Sequence, residues 1–593
     1  MKSKTTVLWL VLAVSLAALL WIFEHHFQAA PPAVSGLLAG FRAATITSLQ
    51  IIPAGTREIS AVRTNGAWQL ERPVAYPAPA AAIESLLATL EKLSPALRLT
   101  AGELRGRKNS DAEFGFENPR YSIVAEAGEQ RWQLLVGNPT APGDQAYVRV
   151  VGVDGVFITD TAWLPQLPRA ANEWRDTGLL AAGTEGDWII ITNGTKAIEL
   201  RQDTTNHLWR MTRPLLARAD GERITAALQQ LRTARVAQFT SDDAKADLTT
   251  FGLQPAELDV WIGHGTNRLA AVHAGKTAPE NPELIFARRE GWNAVVALAK
   301  STFAPWRGTV NDFRDAHLLD LSRPAAEIEV RGESSFILRQ SGTNDWTLAG
   351  EKFPADAGSV QAMLKSLAGL RAVEFVKDLN TGADLQGFGL NPPARQIILR
   401  ATPGATNDII AQLQFGARET NRIFVKRADE DYVYALAVAD YDRLPDYGWE
   451  FRDRRVWNFS TNDVAQLTIR QNGKTRQLVR DAAGKWSLAS GSQGVFDGRW
   501  MELIVRQFGE MTAAGWVARN VTAPEKFGLA PEGLQVAIEL KDGKKYAAAF
   551  GTELPSQAGL AAVTLDGERW VFVCPSSLYQ FAKLYLTIPP NAP

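Results

Sequence analysis

The sequence predicts an α+β protein: an N-terminal transmembrane helix followed by four tandem homologous domains, each mostly antiparallel β with one packed helix. Three observations carry this. A single uncharged apolar run lies near the N-terminus, from Thr5 to Phe23. A tryptophan followed shortly by a helix-like stretch returns four times, at Trp68, Trp209, Trp346 and Trp486. A Phe-Gly-apolar triplet returns in step with it, as Phe114-Gly115-Phe116, Phe251-Gly252-Leu253, Phe388-Gly389-Leu390 and Phe527-Gly528-Leu529.

The N-terminal run has Ser15 as the single polar break over residues 7–23. At about 1.5 Å per residue, such a helix nearly crosses a hydrocarbon core of about 30 Å. Trp9 and Trp21 fall near its two ends, where amphipathic rings favour the membrane interface. Lys2 and Lys4 precede it and Glu24 follows. The positive-inside rule then places residues 1–4 in the cytoplasm and everything after Phe23 outside it. The expected location is the cell inner membrane, single-pass, with the bulk of the chain in the periplasm or otherwise outside the cytoplasm. A cleaved signal peptide would carry a shorter apolar region, about 7–15 residues, with a small-x-small site close behind. Ala33-Val34-Ser35 is such a site but lies well beyond the run. Residues 24–44, with Pro31-Pro32, read as a tether.

Both repeated markers recur at intervals of about 140 residues, too long for a solenoid repeat and right for a whole domain. A proline follows each Phe-Gly triplet, at Pro119, Pro255, Pro392 and Pro531. A third marker, aromatic-Arg-Asp, closes the first three copies as Trp174-Arg175-Asp176, Phe313-Arg314-Asp315 and Phe451-Arg452-Asp453. The copies are therefore placed at residues 45–182, 183–322, 323–460 and 461–593.

Within each copy, apolar alternation predicts an opening strand, at residues 47–52, 188–192, 327–331 and 466–470. A second strand and then the tryptophan strand follow, with turn residues at Asn65-Gly66 and Ala483-Gly484. Helical spacing comes next: Ile83, Leu86, Leu87, Leu90 and Leu93 in the first copy, Ile224, Leu228 and Leu231 in the second, Val360, Leu364, Leu367 and Leu370 in the third. The Phe-Gly triplet then makes a turn, and several strands return. The repeated tryptophans read as core anchors, because large aromatics dominate core packing. The Arg-Asp pair reads as a local ion pair or helix cap.

Composition excludes several functions. The formal net charge is −1, with no long basic run, so a nucleic-acid partner is not expected. The single cysteine, Cys574, makes neither an internal disulfide nor a cysteine-based zinc site. Ala270 followed by Gly275-Lys276-Thr277 loosely resembles a phosphate loop. The site aligns with Val136-Gly137-Asn138, Phe415-Gly416-Ala417 and Phe550-Gly551-Thr552, so it reads as a repeat turn, and no nucleotide is expected. Of the six histidines, His264 and His273 could meet across a hairpin, but no carboxylate cluster is evident beside them. Asp242-Asp243 and Asp429-Glu430-Asp431 read as solvated loops. Asn193-Gly194-Thr195, Asn458-Phe459-Ser460 and Asn520-Val521-Thr522 fit a glycosylation pattern that matters only in a eukaryotic secretory pathway. No catalytic, cofactor-binding or metal residues are assigned.

The short N-terminal anchor, the tryptophan strand before a helix, the Phe-Gly-Leu…Pro motif, the glycine turn and the aromatic-Arg-Asp ending together resemble the bacterial family known as domain of unknown function 4340. That resemblance implies an extracytoplasmic partner of an ABC-type export system, of the kind encoded beside gliding-motility transporter components. It implies no catalytic residues. The expected function is a non-catalytic scaffold or accessory subunit of an envelope transport system. The alternatives are a cell-envelope glycan-active enzyme, whose carboxylate pair leaves no sequence signature, and a ligand-binding sensor with a pocket between strands.

Overall fold

The structure, a computed structural model, describes residues 14–16, 36–107, 109–181, 183–321, 323–492, 494 and 496–588. The expected cytoplasmic residues 1–4, most of the expected membrane helix 5–23 and the first part of the tether lie outside the described residues. Among the described residues no helix is long and apolar enough to cross a membrane. The chain forms two compact units, Met1–Asp315 and Ala316–Pro593. Each unit holds two antiparallel β-sheets with packed helices.

The first sheet is built from β1 (Ser48–Pro53), β2 (Ile59–Thr64), β3 (Ala67–Arg72), β4 (Tyr76–Pro77), β5 (Leu97–Leu99), β6 (Tyr121–Ala127), β7 (Gln130–Pro139), β8 (Gln145–Val150) and β9 (Val156–Asp160). Its spatial order is β4-β3-β2-β1-β6-β7-β8-β9-β5. Helix α1 (Ala80–Lys92) joins β4 to β5, which lie at opposite edges, so the chain must cross the whole sheet between them. That crossing lays the helix over one face. Sheets spanning residues 188–299 and 327–437 repeat this order strand for strand, and residues 464–574 repeat it with no counterpart of β4 among the described residues. The corresponding helices are α2 (Gly221–Thr233), α3 (Ala357–Ala368) and α4 (Gly498–Gly509).

Local chemistry explains these elements. In β8, every second residue is buried, as a strand with one core face requires. Asn65 and Gly66 both take positive φ between β2 and β3, and Asn472-Gly473 does the same in the fourth copy, as tight hairpins demand. Each helix buries one stripe: Ile83, Leu86, Leu87 and Leu90 in α1; Ile224, Ala227, Leu228 and Leu231 in α2; Val360, Met363 and Leu367 in α3; Met501, Ile504, Val505 and Phe508 in α4. Asp220, Asp356 and Asp497 cap α2, α3 and α4 by accepting from backbone amides in the first turn. The four repeated tryptophans are all buried on the third strand of their sheets, where they pack into the core.

The segment between consecutive copies is part of the sheet system. In the first unit, the Asp176 amide donates to the Pro77 carbonyl of β4, and the Val236 amide of the second sheet donates to the Thr177 carbonyl, both at 2.8 Å. The linker therefore satisfies the exposed edges of both sheets. Arg175, with a side chain 1% exposed, is buried in this joint. Its guanidinium lies 4.4 Å from the ring centre of Tyr76 and 3.8 Å from that of Phe239. It donates to both carboxylate oxygens of Asp242, at 3.0 and 2.5 Å.

The second unit is joined in the same way. The Asp453 amide donates to Pro354 at 2.9 Å and the Ala513 amide to Arg454 at 2.7 Å. Arg452 lies 4.7 Å from the rings of both Phe353 and Trp570 and pairs with Asp566 at 2.7 Å. The local ion pair expected from sequence is thus corrected for Arg175 and Arg452. A buried guanidinium needs a planar carboxylate and aromatic faces; the following copy supplies the carboxylate, and each of the two copies supplies one aromatic face. The aspartates do act locally: Asp176 accepts from the Gly178 amide and Asp453 from the Arg455 amide, both at 2.8 Å.

Candidate functional site

Each sheet covers one face with its helix and leaves the opposite face of its central strands as the place where copies differ. A bulge fixes the comparison. The long strand that follows the Phe-Gly triplet slips register at Gly137, Gly275, Gly416 and Gly551. The expected turn is therefore a bulge inside a continuous strand. Two residues before it stand Leu135, His273, Gln414 and Ala549. Their cross-strand partners on one side are Ser122, Asp259, Gln396 and Gln535. On the other side they are Arg149, Arg288, Lys426 and Ala562.

In the second copy, this register puts His273 between two acids. Its Nδ1 lies 2.6 Å from Asp259 Oδ1 and its Nε2 lies 2.9 Å from Glu290 Oε2. The Asp259 hydrogen bond, aided by Glu290, raises the imidazole pKa above its ordinary value despite partial burial. Trp261 meets the ring edge-on at 5.5 Å, and Arg268 lies 3.9 Å from the Trp261 ring centre. Because the two ring nitrogens point apart, the two carboxylates do not converge on one ion. Among the described residues no group of three or more His, Cys, Asp or Glu side chains is arranged to hold a metal. His264 pairs with Asn267 in the hairpin, away from the His273–Asp259 rung, and contacts Asp187 instead. The carboxylates around His273 were not seen in the sequence. The signal that could have found them is strand pairing, which sets residue 259 opposite 273.

The third copy carries a different polar network on this face. Arg400 bridges Glu327 at 2.7 Å and Glu329 at 2.6 Å, and Arg339 also binds Glu327 at 2.8 Å. Burial pushes the Glu327 carboxyl up, but hydrogen bonds from Arg339, the Gly404 amide and Arg400 outweigh it and hold the pKa below the usual range. In the first copy, Arg149 pairs with Asp111 and lies 4.3 Å from the Phe116 ring centre.

The fourth copy has a groove here, of about 260 Å³. Its floor is Ala537, Ala547, Ala549 and Ala562, and Arg470 and Arg569 line it. Where the groove lies, the second copy has Trp261 and His273, and the third has Ile398 and Gln414. The cation found at Arg149, Arg288 and Lys426 is replaced by Ala562. The groove is the volume of those missing side chains.

Other residues singled out in the sequence take structural places. The Ala270–Thr277 stretch lies within one strand, Asn267–Ala278, with another strand after it, and Lys276 Nζ donates to the Thr249 carbonyl at 3.3 Å. The acidic clusters are more engaged than solvated loops would be: Asp242 holds Arg175, Asp429 pairs with Arg427 at 2.7 Å, and Glu430 accepts from the Tyr434 hydroxyl at 2.5 Å.

Comparison with known proteins follows the same repeat. A family model described as Domain of unknown function (DUF4340) matches residues 68–202, 209–350 and 346–532. The chain belongs to this family. Each DUF4340 match opens on one of the repeated tryptophans, Trp68, Trp209 or Trp346. The family unit is thus phased on the tryptophan strand, whereas each sheet begins two strands earlier. Among curated proteins, none matches this DUF4340 chain. A solved structure, the DNA polymerase III subunit beta from Pseudomonas aeruginosa, aligns with 69% of this chain and 96% of its own at 9% identity and a TM-score of 0.14. At that score the likeness carries no argument about fold or function.

Proposed function

We propose that this DUF4340 chain is a membrane-anchored extracytoplasmic repeat protein, a non-catalytic scaffold or accessory subunit of an envelope ABC-type transport system. One observation carries the reading: a single sheet-and-helix architecture recurs four times, and within each compact unit a buried arginine clamps one copy to the next. Copies joined by shared edge hydrogen bonds and a desolvated cation hold their outer faces at fixed separations, which suits a protein that positions partners. The different side chains on those faces then give each copy its own contact surface. The apolar run of residues 5–23, with Lys2 and Lys4 before it, supports anchorage in the inner membrane with the repeats outside the cytoplasm.

Chemical crosslinking in native membranes, followed by identification of the linked proteins, tests this reading. The expected product joins the chain to a permease or another envelope subunit of an ABC-type transporter. A chain that fractionates away from membranes, or that crosslinks reproducibly to no transporter component, would overturn it.

A further inference from the structure

We propose that the groove on the fourth sheet binds a small linear organic dianion, with its apolar body on the alanine floor and its negative ends at Arg470 and Arg569. The first support is the pairing of charge. Arg331, at the position of Arg470 in the third copy, is bound to Glu329 at 2.5 Å. In the fourth copy the position of Glu329 is taken by Thr468. The acids near Arg569 are held elsewhere: Asp566 by Arg452, Glu568 by Arg519, and Glu539, three strands over, by Lys545. Among the described residues, no carboxylate lies within ion-pair distance of either Arg470 or Arg569.

The second support is geometry. Arg470 lies on Val464–Gln471 and Arg569 on Glu568–Cys574, and three strands separate them: Gln535–Leu540, Lys545–Glu553 and Gly559–Leu565. Four inter-strand steps of about 4.8 Å put the two backbones about 19 Å apart across the sheet. The long side chains reach inward from both ends over a floor three strands wide. A compact anion would reach one arginine and leave the other without a partner. A linear molecule with a negative group at each end reaches both, and the groove volume limits it to a small one. The third support is specialisation. The positions of Ala537, Ala549 and Ala562 carry larger side chains in all three other copies, and Ala547 is matched only by Ala271 of the second, so the open alanine floor sets the fourth sheet apart. This inference stands apart from the transport reading and shares no observation with its test.

Isothermal titration calorimetry on the purified full chain at low ionic strength tests it, with succinate, glutarate, adipate, pimelate and suberate as probes and hexanoate as the monoanion control. The expected result is saturable one-to-one binding of at least one dicarboxylate, with hexanoate at least about tenfold weaker. Arg470→Gln and Arg569→Gln should each weaken that binding by about tenfold, the loss of one charge-assisted contact. Ala549→Gln, which introduces the side chain of the third copy, should abolish binding while leaving the melting temperature unchanged. If that variant is destabilised, Ala537→Ile, again the residue of the third copy, makes the same test. The proposal is overturned if no dicarboxylate binds, if hexanoate binds as tightly, or if binding survives both arginine substitutions.

Discussion

In the second copy, Gly275 faces the carbonyl oxygen of Phe251 so closely that a Cβ on residue 275 would lie 2.1 Å from it. The next amide, that of Lys276, donates to the same oxygen at 2.9 Å. The other copies repeat the approach, with a Cβ at Gly137, Gly416 or Gly551 meeting the carbonyl of Phe114, Phe388 or Phe527 at 2.0–2.2 Å. Gly252 itself sits at φ +68, against the Lys276 backbone. The two glycine motifs are therefore two halves of one contact, which pins the Phe-Gly segment onto the bulged strand.

Gly416→Ala should cost about 2–3 kcal/mol, because backbone blocks the new methyl on one side and the bulge cannot move without losing its hydrogen bond. Gly382→Ala is the control: nothing lies within 4 Å of its Cβ position. That change should be neutral or stabilising by up to about 1 kcal/mol. Urea unfolding of both variants separates a steric requirement from a general sensitivity to glycine replacement.

Arg175→Lys should behave as a severe substitution. Lysine cannot supply the planar fork that meets Asp242 or stack between Tyr76 and Phe239. A loss of about 3 kcal/mol is expected, in the range for breaking a buried pair. A double-mutant cycle with Asp242→Asn should give a coupling above about 1 kcal/mol. Additive effects would show that the two residues do not act as a joint.

His273 has a folded pKa above its unfolded value of about 6.5. The stability that it contributes is fully present below that unfolded value and is lost as pH rises through the folded one. His273→Gln should therefore be more destabilising at pH 6 than at pH 9. Thermal unfolding of both proteins across this range gives the difference. An unchanged gap would mean that the imidazole is not held as the cation between Asp259 and Glu290.

Burial pushes the Cys574 thiol up to about 12. The thiolate is the reactive form, so a disulfide reagent should label the native chain only slowly at pH 8 and should label it stoichiometrically in denaturant. The slow native labelling rate then reports opening of the fourth sheet, in which Cys574 pairs with Gly559.

The repeat architecture was legible because its markers are tied to backbone constraints. A core tryptophan on a strand and glycines at left-handed or crowded positions tolerate little change, so Trp68, Gly115 and Gly137 return in every copy. The crossing helix was legible from the spacing of Ile83, Leu86, Leu87 and Leu90, which is the stripe that it buries. The bulge was not legible as such, since a glycine marks a turn and a bulge alike. The reach of Arg175 was also hidden, because its partner Asp242 lies 67 residues onward.

The sequence by itself determined how many copies of the repeat there are, which residues anchor each core and where an apolar segment precedes them, because local periodicity and repeated spacing encode these directly. Tertiary structure decided which side chains share the outer faces: His273 with Asp259 and Glu290, Arg400 with Glu327 and Glu329, and Arg470 with Arg569 across four alanines. Those groupings depend on strand order and register, which bring together residues far apart in the chain, and no local pattern records them.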